Sequence, residues 1–135
     1  MIKKYILFSD DVRNEENGKL MVIGLLGAAI VPEKLPLTMP FAVTAAISVE
    51  GTGDGRITGT LRHVDSGTEV LSFEARGTIG HETDILIPFK FSRVRFEKPG
   101  LYEILLKPEG QEEGLRESFR VAEPAADKIQ AISLA

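Results

Sequence analysis

The chain has 135 residues, of which 43% are hydrophobic and 27% charged, ordinary values for one globular domain that buries about two thirds of its unfolded surface. It has no cysteine, which excludes disulfides, thiolate metal sites and cysteine nucleophiles and fits a reducing compartment. A formal net charge of −4 argues against a dedicated nucleic-acid binder, and no apolar run approaches the roughly 20 residues that cross a bilayer, so a soluble cytoplasmic protein is expected.

Period-two alternation of apolar and polar residues dominates, with turn signals at short intervals, the pattern of a sandwich or barrel. Lys3 and Lys4 precede Tyr5-Ile6-Leu7-Phe8, but this apolar run is too short for a signal core, and Asp10 and Asp11 end it. It reads as a first strand over about 3–9. Asn17-Gly18 is a hairpin signal, because both residues tolerate positive φ. Leu20 to Leu26 is apolar on both faces except at Gly24, which predicts a central strand covered on both sides. Val31 to Pro40 holds three prolines and reads as a long crossover.

From Phe41 the alternation is clean. Phe41, Val43, Ala45, Ile47 and Val49 are predicted to face in, and Ala42, Thr44, Ala46 and Ser48 form a small-residue outer face. That face suits solvent, a second subunit or the Ile129/Ile132 stripe of the tail. Glu50 to Gly55 reads as a glycine-rich turn, followed by strands over about 56–64 and 69–76. Ile85, Ile87, Phe89 and Phe91 mark an edge strand, because Pro88 has no N–H to give a ladder. The alternation slips between Phe91 and Val94, which predicts a bulge. Pro99-Gly100 then leads into a strand opened by Tyr102, the placing of a corner tyrosine in immunoglobulin-like sandwiches. A last strand carries Leu115, Phe119 and Val121, and residues 125–135 show helical spacing at Ala126, Ile129 and Ile132.

The expected fold is therefore an all-β, immunoglobulin-like antiparallel sandwich of seven or eight strands over residues 1–122. A tail over 123–135, possible as a short helix, follows it.

The chemistry-bearing residues are few. Asp10, Asp11, Glu15 and Glu16 crowd what reads as one acidic loop, whose oxygens suit backbone capping better than calcium. Lys90, Arg93, Arg95 and Lys98 crowd a basic segment with Phe91 and Phe96, which suits a solvated strand or an acidic protein partner better than nucleic acid. The glycines of Glu50 to Arg56 lack the following helix that a phosphate cradle needs. His63-Val64-Asp65-Ser66 are adjacent in sequence, and neighbours on a strand point to opposite faces, so their proximity is not triad geometry.

Asp10-Asp11-Val12-Arg13, the Asn-Gly-Lys turn at 17–19, Val22-Ile23-Gly24, the Val31-Pro32 crossover and Pro99-Gly100-Leu101-Tyr102 with Phe119 and Val121 together resemble a family of small bacterial proteins of unknown function. The resemblance covers about residues 1–122 and implies the sandwich fold and a bacterial origin, with no catalytic residues. The function expected is a non-enzymatic protein-binding or assembly module without a cofactor. It would contact a protein partner or a second copy, and neither nucleic acid nor membrane, through a sheet face, an edge strand, or the loops holding Asp10, Asp11, Arg93 and Arg95. The alternative is a calcium- or small-ligand-binding domain using residues 10–17.

Overall fold

The computed structural model describes residues 2–27, 29–48, 53–79 and 84–124. The helical tail expected from residue 125 onward lies outside the described residues. Nine strands, rather than the expected seven or eight, are present among the described residues: β1 (Ile2–Asn14), β2 (Leu20–Leu25), β3 (Ala29–Ile30), β4 (Leu37–Ser48), β5 (Gly53–His63), β6 (Glu69–Ile79), β7 (Asp84–Phe96), β8 (Gly100–Pro108) and β9 (Leu115–Val121). They form two packed sheets, ordered β2-β1-β4-β7 and β3-β9-β8-β5-β6. All pairings are antiparallel except β3 with β9, so the second sheet is mixed rather than wholly antiparallel.

The alternation in β4 does what the sequence predicts. Phe41, Val43, Ala45 and Ile47 enter the core beside Ile6 and Phe8 of β1 and Phe89 of β7. Opposite them stand Ile57 and Leu61 of β5 and Ile104 and Leu106 of β8. Phe119 of β9 touches four rings at once: Phe8, Phe41, Phe96 and Tyr102, with centroids 4.7–5.8 Å apart. Tilted and edge contacts of this kind add to the area they bury. The predicted bulge appears as a register shift between Met39 and Phe41, opposite Phe91 and Val94. Pro88 lies on β7, an edge strand, as its missing N–H requires.

Four expectations need correction. Strand one runs on to Asn14, so Asp10 and Asp11 belong to a strand, and the connecting loop begins only at Glu15. The strand over 20–25 is an edge rather than central, and Leu25 is 61% exposed. β3 (Ala29–Ile30) precedes the expected crossover, which is cut short because β4 already starts at Leu37, before Pro40. The turn expected over 50–55 ends earlier, since β5 begins at Gly53.

The small-residue face is the informative one. β1 changes partner at Ser9: residues 2–9 pair with β4 and residues 9–14 with β2. Ser9 is fully buried, and its Oγ donates to the Asp11 carbonyl at 3.0 Å. Past this bend the β1–β2 hairpin turns across β4 toward β7. Asp11 Oδ1 meets Lys90 Nζ at 2.8 Å, and Asn14, Gly18 and Leu20 share a cleft with Leu86 and Pro88. A straight strand would carry Asn14 about 16 Å beyond Ser9, away from Leu86. Ala42, Thr44 and Ala46, on the face opposite the core, are buried. Thr44 Oγ1 has no hydrogen-bond partner among the described residues.

Candidate functional site

A cleft of about 840 Å³ opens where the edges of β6 and β7 face one another and the hairpin tip closes in. Its apolar wall is built by strand alternation. Ile57 and Ala75 are cross-strand partners on β5 and β6, and Ile85 and Ile87 face them from β7. The space itself comes from two glycines. Gly55 and Gly77 are also partners, one step further along the same inner row, so two inward positions carry no side chain. A Cβ added at Gly77 would meet nothing within 4 Å. The volume lies within the range usual for small-molecule sites, about 300–1,000 Å³.

The rim is charged, and most of its charges have short partners. Asp54 accepts from the Thr78 hydroxyl at 2.8 Å. Asp84 pairs with Lys4 at 2.9 Å and accepts from Ser48 at 2.7 Å, and these two contacts, Lys4 above all, hold its carboxyl below the usual range. Arg76 and Glu74 pair at 2.8 Å. Arg56 differs: its guanidinium lies 3.7 Å from Glu74 and 3.8 Å from Glu109, both beyond hydrogen-bond reach.

The site expected at Asp10, Asp11, Arg93 and Arg95 is dispersed. Asp10 and Asp11 are successive strand residues and face opposite ways. Asp10 lies over Gly24, where a Cβ would collide with its carboxylate, and Gly24 adopts φ +67°. The Asp11 carboxylate is occupied within the chain by Lys90, by Arg13 Nε at 3.1 Å and by the Val12 amide at 2.9 Å. Lys90 foremost lowers its pKa. Arg95 donates to Glu97 at 3.1 Å, and Arg93 has no ion pair among the described residues. Among the described residues no three histidine or acidic side chains converge in a way that could hold a metal.

His63 ends β5 and is buried. Its Nε2 lies 2.9 Å from the Pro99 carbonyl, which can only accept, so Nε2 carries the proton. Nδ1 therefore accepts, from the Ser66 amide at 3.3 Å and the Ser66 hydroxyl at 2.7 Å. Ser66 Oγ accepts in turn from the Thr68 amide at 3.2 Å. The imidazole thus fastens the β5–β6 turn to the start of β8. Beside it, the Tyr102 hydroxyl donates to the Lys98 carbonyl at 2.7 Å, and burial raises its pKa. The cleft is not marked by any motif in the sequence. Its one sequence signal is a pair of glycines, Gly55 and Gly77, at matching inner positions of consecutive strands.

No match to a curated protein was found. A family model does match, over residues 4–122, nearly the whole described sandwich. The chain therefore belongs to a family of unknown function, DUF6941.

Proposed function

We propose that this protein is a non-enzymatic assembly module that joins a second copy of itself through an apolar row on β2. Met21 and Leu25 are 45% and 61% exposed, and half-buried Ile23 stands between them on the same face. That row carries the reading. Residues 20–26 hold no charge, and Asp11 and Arg13, the β1 partners of Ile23 and Met21, rim the row with polar groups. Apolar patches with a polar rim mark protein contacts. A two-fold axis through Ile23 sets each Met21 against the other copy's Leu25, so the row is its own complement.

The scaffold reads as immunoglobulin-like. Its β1-β4-β7 layer faces β3-β9-β8-β5-β6, β3 runs parallel to β9, and Tyr102 bonds back four residues upstream. The absence of cysteine supports a cytoplasmic setting.

Sedimentation velocity over a concentration series tests the assembly. A dimer that dissociates in the Met21→Glu, Leu25→Glu variant, with an unchanged far-ultraviolet spectrum, is the expected result. A wild-type protein that stays monomeric at every concentration overturns it. The cleft favours a second reading, a small-ligand-binding domain.

A further inference from the structure

We propose that the cleft between β6, β7 and the hairpin tip binds an uncharged aliphatic molecule, seated along Ile57, Ala75, Ile85 and Ile87 in the space that Gly55 and Gly77 leave. The inference rests on the ligand-binding reading and gives it a chemical class.

Strand alternation carries the argument. Ile57, Ala75, Ile85 and Ile87 pack toward the core, so Gly55 and Gly77, two positions from Ile57 and Ala75, share that inward face. The residues between them point the other way: Asp54 and Arg56 on β5, Arg76 on β6 and Asp84 on β7. Their partners stand on the outer side with them. Asp54 meets Thr78, Arg76 meets Glu74, Asp84 meets Lys4 and Ser48, and Arg56 stands between Glu74 and Glu109. These four charges are therefore turned from the inward wall, which is built of aliphatic side chains and glycine. An ion seated against it would give up hydration and find no countercharge, whereas a hydrocarbon gains by leaving water.

The same wall is incompletely covered. Ile85 and Ile87 belong to the core face of β7, yet both are only half-buried. Across from them the Gly55–Gly77 pair supplies no side chain, and a Cβ at Gly77 would meet nothing within 4 Å. A bound hydrocarbon completes the burial that the two sheets leave unfinished. Asn14 and Gln111 also line the cleft, so a hydroxyl or carbonyl on the ligand meets hydrogen-bonding groups that are themselves uncharged.

1-Octanol, octanoate and octylammonium, equal in chain and different in charge, are the probes. Each is titrated at neutral pH into the full-length, isotopically labelled protein and followed by amide shifts and calorimetry. The expected result is saturable one-to-one octanol binding, with shifts centred on Ala75, Gly77, Ile85 and Ile87. Either ion should bind about ten-fold more weakly. Gly77→Leu fills the cleft and should abolish octanol binding.

Octanoate or octylammonium binding at these residues as tightly as octanol overturns the uncharged assignment while the ligand-binding reading stands. No saturable binding of any probe overturns both. Shifts centred elsewhere, or Gly77→Leu binding octanol as the wild type does, overturn the site. Should Gly77→Leu fail to fold, the shift map on the wild-type protein still decides the location.

Discussion

Asp11 and Lys90 stand on strands separated by β4, yet Oδ1 of one lies 2.8 Å from Nζ of the other. The contact is possible because Ala42, the β4 partner of both Ser9 and Lys90, presents only a methyl group between them. It secures the hairpin after the bend at Ser9.

This pair makes stability depend on pH. Lys90 and the other donors lower the Asp11 pKa in the folded state. A lowered folded pKa contributes stability above the unfolded carboxylate value, and that contribution is lost as pH falls through the lowered one. Melting temperature should therefore drop on acidification toward pH 3. The drop should be smaller in Lys90→Met, and the difference should shrink in high salt because the pair is partly exposed. Melts across pH at two salt concentrations check this, and equal slopes in both proteins would refute it.

The Tyr102 hydroxyl is buried and bonded to the Lys98 carbonyl. Tyr102→Phe keeps the ring stacked near Phe119 and leaves that carbonyl without its donor. The expected loss is about 1 kcal/mol in urea unfolding. Burial raises the folded pKa of this phenol, so its neutral form contributes stability below the unfolded value, near 10, and the contribution is lost as pH rises beyond it. Wild-type stability should fall more steeply than that of Tyr102→Phe in alkaline melts.

Gly59 faces the core without a side chain, and the Phe73 ring occupies the place its Cβ would take. Phe73 in turn packs on Phe89 and Phe91 at 4.8 and 4.9 Å. Gly59→Ala should cost about 1–3 kcal/mol through overpacking. A second substitution, Phe73→Leu, should restore part of it. Additive losses in the double variant would deny the contact.

Gly100 has φ +127°, and a Cβ there would stand 2.9 Å from His63 Nε2. Gly100→Ala should cost about 1–3 kcal/mol from backbone strain alone, with the clash added. In a His63→Ala background the clash disappears and the strain remains. A double-mutant cycle should therefore show a smaller penalty for Gly100→Ala when His63 is absent, and an unchanged penalty would place the whole cost in the backbone.

Side-chain alternation announced the inner row of β4, the edge position of Pro88, the slip after Phe91 and the corner at Tyr102, since each depends on local chemistry. The Leu20–Leu26 run misled for a physical reason. An all-apolar strand implies two covered faces, whereas β2 uses one face within the fold and leaves Met21 and Leu25 exposed. Asp10 and Asp11 looked like loop residues because acids usually break strands. Asp11 is tolerated in β1 because Lys90 and Arg13 neutralise it, a partnership 79 positions apart in one case and two in the other. The cleft needed strand register: Gly55 and Gly77 mean little until they stand opposite one another.

Phe119 belongs to the last strand, and it is the ring on which Phe8, Phe41, Phe96 and Tyr102 converge. A chain leaving the ribosome has to wait for that residue. Until β9 emerges, the first eight strands hold an aromatic cluster with its centre missing, and both β3 and β8 lack their shared neighbour. Closure of the sandwich thus waits for β9, and the nascent chain up to that point is the kind of species that chaperones hold.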